Sequence, residues 1–345
     1  MNQAPVKLSI IIPHHNGEAL LNKCLQSLHN TCYSNYEIIV VDNNSKDQSI
    51  LKSKKEFPKI KVVSLEKNLG YAGGCNKGAL EAKGELLLFL NNDTIHEKNW
   101  IEPLVDMMDN NKEIGSIQPK IKSINNNDRF DYAGGSGGFL DIFCFPFARG
   151  RIFSSIEVDT NQYDNQVEVF WASGCAFITR KNIFNQITFD STLFAYMEEI
   201  DYAWKLHLLG YKNYVEPKSV IYHDGGEFSS RNFLKSYYNH RNSLILFLTN
   251  HNLIFSAILL LPKILLEIIS LARYLFLLNF NGIVAQLSSI MWILSHPLYI
   301  IKRIIKINRF KRKPLYSIVR KMYKPSIVIT YFIFLKKKFS DLSIG

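Results

Sequence analysis

Three short apolar runs in the first hundred positions have the pattern of buried β-strands. They cover residues 9–13, 38–41 and 86–90 and consist mainly of isoleucine, valine, leucine and phenylalanine. Residues 19–30, between the first two runs, place leucines and a cysteine on one helical face. Strands that alternate with helices predict an α/β fold in which helices flank a mostly parallel sheet.

Polar residues follow each of the three predicted strands. The first run leads into Pro13-His14-His15-Asn16, the second into residues 42–45 and the third into Asn91-Asn92-Asp93. Open α/β sheets bind ligands beyond the carboxyl ends of their strands. The pattern therefore predicts a binding site at this edge.

A glycine-rich segment at residues 68–78 precedes the third strand. Its glycines at 70, 73, 74 and 78 predict a loop, followed by a short helix to Ala82, whose backbone N–H groups suit an anion. A tight turn without a ligand is the alternative. The dinucleotide fingerprint places its glycines directly after the first strand, so the pattern disfavours NAD binding.

Together these segments resemble successive motifs of family 2 glycosyltransferases of the GT-A fold. The motifs are residues 9–16, 40–47, 68–78 and 89–94, followed by residues 171–178, 189–202 and 222–226. The rhamnosyltransferase and galactofuranosyltransferase-like branch is the most similar. The resemblance implies a GT-A mixed sheet with flanking helices over residues 1–235. A helical, basic, membrane-associating region is expected over residues 236–345.

The same resemblance implies a divalent cation, Mn²⁺ or Mg²⁺, held by Asp93 and His223. Asp93 takes the last position of the family's Asp-x-Asp motif, while Asn91 replaces the first acid. An imidazole ligand suits Mn²⁺ better than Mg²⁺. Helix capping is the alternative role for Asp93, and a structural role is the alternative for His223.

Nucleotide-sugar contacts are likewise implied by resemblance. Asp42 would accept the imide N–H of uracil or thymine, which points to a dTDP- or UDP-sugar, although Asp42 could instead cap a turn. Trp171 would offer an aromatic face to a sugar or simply belong to the core. The remaining implied contacts are Pro13, His14, Asn16, Asn44, Asn68, Gly70, Gly73, Gly74 and Asn92.

An acidic cluster at Glu198, Glu199 and Asp201 supplies candidates for the general base. The family pattern makes the second acid the base, which corresponds to Glu199. Asp201 is the rival, although it can pair with Lys205 at i,i+4 and serve only the helix.

Charge and cysteine content narrow the cellular setting. The net charge is +11, but residues 300–345 carry thirteen Lys and Arg against one acid, so the preceding residues sum to −1. Cations interleaved with aliphatic residues favour an anionic membrane surface over nucleic acid. The five cysteines lack metal-ligand spacing, and residues 1–7 are polar, so we expect reduced thiols and no signal peptide.

Two apolar segments precede this basic tail. Residues 253–278 contain Lys263 and Glu267, and such charges favour the membrane interface over a span. Residues 283–301 have about the length of a span but contain His296, so both arrangements stay open. Simple packing of these helices on the catalytic domain is the alternative.

These patterns favour an inverting, metal-dependent glycosyltransferase at the cytoplasmic face of the cell membrane, peripheral or monotopic. It would add a rhamnose-like deoxyhexose or galactofuranose to a lipid-linked or cell-surface polysaccharide precursor such as O-antigen. A sugar nucleotidyltransferase is one alternative. A non-catalytic, membrane-anchored module that binds nucleotide sugars is the other.

Overall fold

The computed structural model describes residues 5–225, 232–310 and 312–342. Gly226, the last residue of the final motif, lies outside the described residues. The strands are β1 Leu8–His14, β2 Tyr36–Asp42, β3 Lys61–Ser64, β4 Leu86–Leu90, β5 Thr94–His96, β6 Ile114–Ser123, β7 Gly138–Leu140, β8 Pro146–Ala148, β9 Arg151–Ile152, β10 Ser155–Ile156, β11 Val167–Val169, β12 Ala176–Arg180 and β13 Lys212–His223. The helices are α1 Glu18–His29, α2 Ser49–Glu56, α3 Gly70–Glu81, α4 Ile101–Asn110, α5 Lys181–Phe184, α6 Glu198–Leu209, α7 Phe233–Asn250, α8 Leu253–Phe276, α9 Phe280–Ser295, α10 Pro297–Asn308, α11 Leu315–Val319 and α12 Ile327–Phe332.

A nine-stranded mixed sheet forms the centre of the molecule, in the order β11-β13-β6-β12-β4-β1-β2-β3, with β5 paired to β13. The three strands predicted from apolar runs are β1, β2 and β4, and β1 pairs in parallel with both others. Strand β12 runs antiparallel to β4. The predicted α/β fold with a mixed sheet is confirmed.

The prediction of a glycine loop before the third strand is wrong, because the glycines lie inside α3. A Cβ on Gly78 would lie 2.4 Å from Cγ2 of Ile11 and 2.9 Å from Cγ2 of Val41. Glycine therefore lets α3 pack close to the sheet, and this tertiary packing overrides the weak helix propensity of glycine.

The helices after residue 232 pack against the sheet domain through buried ion pairs as well as apolar contacts. Arg303 of α10 is buried and pairs with Asp190 and with Asp201 of α6. Ile307, one turn further along α10, joins an apolar cluster with Trp204 of α6. A domain boundary near residue 235 stays a prediction, since this region shares its core with α6.

The first apolar segment of the sequence forms α8, and the second forms α9 and the start of α10. Lys263, Glu267 and Gln286 are buried, whereas Arg273 and His296 are exposed. Lys263 is 1% exposed and forms an ion pair with Glu267 at 3.1 Å. Gln286 of α9 donates to Glu267 at 2.7 Å. By length and composition α8 could cross a membrane, and α9 with α10 forms a pair bent by 77°.

The opposite face of these helices is apolar and exposed. Its largest exposed side chains are Leu253, Ile254, Ile258, Leu261, Ile268, Phe276, Phe280, Met291, Leu294 and Leu298. We call this set the apolar face. Exposed apolar side chains in such numbers are typical of surfaces that contact a membrane or another protein.

Candidate active site

The carboxyl ends of β1, β2 and β4 meet through a chain of hydrogen bonds around His14. The Asn92 side-chain amide donates to Nδ1 of His14 at 2.7 Å, and Nε2 of His14 donates to the Ser49 hydroxyl at 2.8 Å. The backbone N–H of Asn43 donates to the carbonyl of His14. Burial lowers the pKa of His14, which agrees with a neutral ring. His14 therefore supports the pocket floor without carrying charge.

Asp42 forms an Asx turn and still keeps one oxygen for a ligand. Its Oδ1 accepts the backbone N–H of Ser45 at 2.8 Å. The capping role considered from sequence is present, and it occupies one of the two carboxylate oxygens. Recognition of a base by Oδ2 stays a prediction.

Two asparagines with left-handed backbone shape the loops beside Asp42. Asn16 has φ 58° and Asn44 has φ 65°, a conformation that asparagine adopts more readily than most residues. The Asn16 side chain accepts the Lys46 backbone N–H at 2.7 Å, and Asn44 accepts from Nζ of Lys46 at 2.8 Å. Both side chains hold the loop at the strand ends.

The glycines at the start of α3 allow the nearby loops to approach. A Cβ on Gly70 would lie 2.4 Å from the carbonyl of Phe194, and one on Gly74 would lie 2.7 Å from Nδ2 of Asn43. Asn68 accepts the Gly70 backbone N–H at 2.8 Å. A Cβ on Gly73 would meet Leu69 at 2.5 Å. These contacts are structural, and nucleotide binding by these residues, and by the neighbouring Pro13, stays a prediction.

 Asp93 and His223 are 130 positions apart in the sequence and lie next to each other because β5 pairs with β13. Oδ1 of Asp93 lies 3.2 Å from Nε2 of His223. On the other side of the ring, Nδ1 of His223 lies 2.8 Å from Oδ1 of Asp131. Asp131 thus fixes the ring orientation, as the outer partner of a metal-bound histidine does.

The donor atoms of this pair fit a divalent cation. Adjacent ligands of an octahedral ion with bonds of about 2.1 Å lie about 3 Å apart, which matches the spacing of Asp93 and His223. Oδ1 of Asp93 is buried without a hydrogen-bond partner. Within the described ranges, no group of three or more His, Cys, Asp or Glu side chains could hold a metal. The pair would therefore need further oxygen ligands from the substrate or water.

His223 carries a proton in the absence of metal. Burial acts to lower its pKa, but Cys175, Asp93 and Asp131 raise that pKa well above its ordinary value. A cation at Nε2 would replace this proton.

Glu199 lies at the start of α6, after a loop of unusual backbone conformation. Phe194, Tyr196 and Met197 have φ values of 64°, 66° and 72°. Left-handed conformations in residues other than glycine cost free energy and concentrate at functional sites. The loop directs the first turn of α6 toward the strand ends.

Burial raises the pKa of Glu199 to about 7, although backbone N–H groups at the helix start oppose the shift. Burial and the charge of Glu199 raise the pKa of Glu198 well above its ordinary value. The charge of Glu199 acts on Glu198, so Glu199 is the first of the two acids to lose its proton, in the pH range that suits a general base.

Helix α7 holds this loop in place, a role that no local sequence pattern indicated. The side-chain amide of Asn242 donates to the carbonyls of Leu193, Ala195 and Tyr196 at 2.6 to 3.0 Å. Arg241 donates to the carbonyl of Thr192 at 2.7 Å.

The structure does not bring Asp201 to the site. Its side chain is fully buried, with Lys205 at 2.7 Å and Arg303 also in contact. Burial acts to raise its pKa, but the charges of Arg303 and Lys205 lower that pKa to about 2. A carboxylate that is buried between two cations cannot reach an acceptor hydroxyl. The geometry therefore favours the alternative role of Asp201, which is to pair with Lys205 within the helix.

Trp171 is 4% exposed and packs in the core, and its contact with a sugar stays a prediction. Its indole N–H donates to the carbonyl of Phe139 at 2.8 Å. A Cβ on Gly138 would lie 2.1 Å from the indole ring, so glycine is required beneath it. This packing explains why position 138 is a glycine.

Gly174 and Cys175 connect the two halves of the site. A Cβ on Gly174 would lie 3.6 Å from side-chain carbons of Glu199. The carbonyl of Cys175 accepts the Asn91 backbone N–H at 2.8 Å, and its thiol contacts His223. Glu199 therefore lies beside the pair of Asp93 and His223 at one end of the sheet.

Comparisons with known proteins agree with this arrangement. The model of the family "Glycosyl transferase family 2" matches residues 9–188. An uncharacterized glycosyltransferase of Haemophilus influenzae is 34% identical over 125 residues, which is 36% of this chain and 42% of that protein. A UDP-Glc:alpha-D-GlcNAc-diphosphoundecaprenol beta-1,3-glucosyltransferase of Escherichia coli is 33% identical over 122 residues, 35% of this chain and 47% of that protein. The chain thus spans less than half the length of either relative.

A solved structure shows the same fold. It is the crystal structure of GalNAc-T7 with UDP, GalNAc and Mn²⁺, which has a TM-score of 0.55 and 19% sequence identity. The likeness covers 71% of this chain and 48% of that one. At this identity the comparison bears on the fold alone.

Proposed function

The chain belongs to glycosyl transferase family 2, and we propose that it transfers a sugar from a dTDP- or UDP-sugar to a lipid-linked or polysaccharide acceptor, with inversion at the anomeric carbon. The observation that carries the proposal is the convergence of Asp93, His223 and Glu199 around Gly174 and Cys175. It combines a candidate cation site with a carboxylate whose pKa is about 7.

In the proposed reaction, Glu199 accepts the proton of the acceptor hydroxyl as that oxygen attacks the anomeric carbon. The bond from this carbon to the diphosphate breaks in the same displacement, so the configuration inverts. Asp93 and His223 would hold Mn²⁺ or Mg²⁺, which supplies positive charge to the leaving diphosphate. Asp131 keeps His223 in position.

Two alternative functions are less well supported. A nucleotidyltransferase is expected to have phosphate-binding cations after the first strand, where this chain has a buried His14 with a lowered pKa. A module that only binds nucleotide sugars has no need of a desolvated Glu199 or of the strained loop before it.

The donor sugar and the acceptor are finer parts of the proposal. Rhamnose or galactofuranose as the donor sugar rests on the sequence resemblance alone. For the acceptor, the name of the Escherichia coli relative specifies a sugar on diphosphoundecaprenol, which supports a lipid-linked precursor.

Release of nucleoside diphosphate from a panel of nucleotide sugars tests the proposal. With Mn²⁺ present, we expect turnover of UDP- or dTDP-sugars and little turnover of GDP- or CDP-sugars. Asp42→Asn should lower kcat/KM for the preferred donor roughly tenfold or more, because an amide cannot pair equally well with the imide N–H. Equal turnover of nucleotide sugars with any of the four bases would contradict the role of Asp42. An unchanged preference among these bases in Asp42→Asn would contradict it as well.

We also propose that the apolar face lies in the surface of the cell membrane, in a monotopic arrangement. The inward position of Lys263 and Glu267 leaves aliphatic side chains on the outside of α8. Lys302 and Lys306 are exposed on α10 beside Ile301 and Ile305, so cations can reach lipid phosphates. Arg303 is excluded from this role by its buried ion pairs.

Replacing apolar side chains on this face should weaken membrane binding. The double variant Leu261→Glu and Ile268→Glu is expected to lower partitioning to phosphatidylglycerol vesicles roughly tenfold or more in a flotation assay. Leu51→Glu is the matched control, since Leu51 of α2 is 69% exposed and Leu261 is 68% exposed. Equal losses in both variants, or none in either, would contradict the proposal.

Deleting the C-terminal helices would be a poor substitute for this experiment. Removal of Arg303 would leave Asp190 without its ion-pair partner and Asp201 with Lys205 alone. A buried charge that loses its partner destabilises a fold by about 3–5 kcal/mol. A loss of membrane binding after such a deletion could therefore result either from the missing apolar face or from unfolding.

A further inference from the structure

The loop at residues 192–197 leads into Glu199, and two adjacent side chains of α7 bind most of its backbone carbonyls. The side-chain amide of Asn242 donates to three of them, at 2.6 to 3.0 Å. The guanidinium of Arg241 donates to two, at 2.7 and 3.1 Å. Together these side chains hold the carbonyls of Thr192, Leu193, Ala195 and Tyr196. One helix therefore fixes the course of the loop.

The carbonyl of Phe194, in the middle of the loop, has a separate partner. It accepts the backbone N–H of Ala72 in α3 at 3.0 Å. The Phe194 ring stacks on Tyr238 of α7, with centroids 5.2 Å apart and planes inclined by 19°. Phe194, Tyr196 and Met197 adopt left-handed conformations, which cost free energy in residues other than glycine. The contacts with α3 and α7 offset this cost and keep the loop in one shape.

The two side chains of α7 are themselves held in a fixed orientation. Asn242 is fully buried, and Arg241 is 6% exposed. Nε of Arg241 donates to Oδ1 of Asn242 at 3.0 Å, so the amide nitrogen of Asn242 is turned toward the loop. The Arg241 guanidinium also lies 4.9 Å from the ring centroid of Tyr238 and 5.0 Å from that of Trp292 in α9. The pair therefore connects the loop to the packed helices of the C-terminal region.

The position of the loop determines the surroundings of Glu199. The backbone N–H of Met197, the last residue of the loop, forms a hydrogen bond with the Glu199 carboxylate, as does the N–H of Ile200. The titratable side chains that act on Glu199 are Glu198 of the same helix and Tyr71 of α3, and burial raises the pKa of both. A displaced loop would expose Glu199 and remove the hydrogen bond from Met197.

We propose that Arg241 and Asn242 are positioning residues for glycosyl transfer, which hold Glu199 at its place in the site through the carbonyls of the loop. The inference rests on the proposed function. It gives the helical C-terminal region a second task beside the proposed membrane binding, because α7 completes the active site.

Asn242→Ala in the full-length protein tests this role. The variant leaves three loop carbonyls without their donor. We expect kcat to fall about tenfold or more with nearly unchanged donor KM, because a base that is displaced by about 1 Å loses its alignment with the acceptor. Burial is the largest influence on the pKa of Glu199, which is about 7, so the rising limb of kcat/KM should move to lower pH.

Asn213→Ala is the matched control. Asn213 of β13 is also fully buried, and its amide donates to the carbonyls of Phe170 and Ala203 at 2.9 and 3.4 Å. This variant should lower Tm as Asn242→Ala does, but leave kcat and the pH limb unchanged. Equal losses of kcat in both variants, or an unchanged kcat in Asn242→Ala, would overturn the proposal.

A milder change at the neighbouring position covers the case in which Asn242→Ala does not fold. Arg241→Lys keeps the positive charge but loses the planar fork that reaches two carbonyls. We expect a smaller fall in kcat, again with nearly unchanged donor KM. A rise in donor KM with unchanged kcat would assign Arg241 to donor binding and overturn its role in positioning the base.

Amide hydrogen exchange separates this inference from the proposed function, because it needs no turnover. Exchange in the peptide that covers residues 192–200 should be faster in Asn242→Ala than in the wild type, and unchanged in Asn213→Ala. Unaltered exchange in Asn242→Ala would overturn the proposal. A wild-type protein that turns over no nucleotide sugar would refute the proposed function, and faster exchange in Asn242→Ala would still show that α7 holds the loop.

Discussion

Replacing Glu199 with glutamine is expected to lower kcat about 10²-fold or more, the usual contribution of a positioned general base. Glutamine has nearly the same shape but cannot accept the proton of the acceptor hydroxyl. Donor affinity should change little, because the donor sites are on other elements. Steady-state kinetics with saturating donor, together with UDP binding, measure both quantities.

The pH dependence of kcat/KM is a second test of Glu199 as the general base. Because burial raises the pKa of Glu199 to about 7, the ionised base becomes available as the pH rises through this value. The kcat/KM of the wild type should therefore rise through about pH 7, and this limb should be lost in Glu199→Gln. An unchanged limb in the variant would assign it to another group.

As the pH rises through the pKa of Glu199, the contribution of this residue to the stability of the fold should fall while the catalytic activity rises. A carboxyl whose pKa is raised by folding stabilises the folded state below its unfolded pKa, and this stabilisation is lost as the pH rises through the folded pKa. Glu199→Gln should therefore raise Tm more at pH 8 than at pH 5, relative to the wild type. A uniform change in Tm at both values would indicate a structural role alone.

Neighbouring acids provide the controls. Burial and the charge of Glu199 raise the pKa of Glu198 well above its ordinary value, which disfavours its ionised form, so Glu198→Gln should have a much smaller effect on kcat. Asp201→Asn should destabilise the protein by about 3 kcal/mol or more, because Lys205 and Arg303 lose their shared carboxylate. If Asp201→Asn removed activity without loss of stability while Glu199→Gln was mild, the roles would be reversed.

The ends of the strands could be predicted from the sequence because a strand and the polar residues that follow it are adjacent in the chain. A buried strand shows itself as an apolar run, and the polar residues that follow it, such as Asp42 and Asp93, must lie at the edge of the sheet. The predicted loop over residues 68–78 is helical from Gly70 onward, because glycine propensity is local, whereas the packing of Gly78 on Ile11 and Val41 is tertiary.

The residues missed from sequence act across long separations. Asp131 reaches His223 over 92 positions, and Asn242 reaches Tyr196 over 46. Arg303 is one of the cations of the basic tail in the sequence, yet it is buried and pairs with Asp201, 102 positions earlier. Nothing in the adjacent sequence distinguishes these side chains from solvated ones, since their partners are defined only by the fold.

Asp93→Ala is expected to remove metal-dependent turnover, with a loss of about 10²-fold or more in kcat/KM, while the protein remains folded. The carboxylate is the only charged oxygen of the candidate pair, and without it His223 alone would hold the cation. Asp131→Asn should give an intermediate result, with Mn²⁺ affinity lower by about 10–100-fold, because the imidazole loses its orienting partner. Activity as a function of Mn²⁺ concentration separates the two variants, and circular dichroism with Tm monitors the fold. Full activity of Asp93→Ala at saturating Mn²⁺ would exclude Asp93 as a metal ligand and leave it as a capping residue at the end of β4.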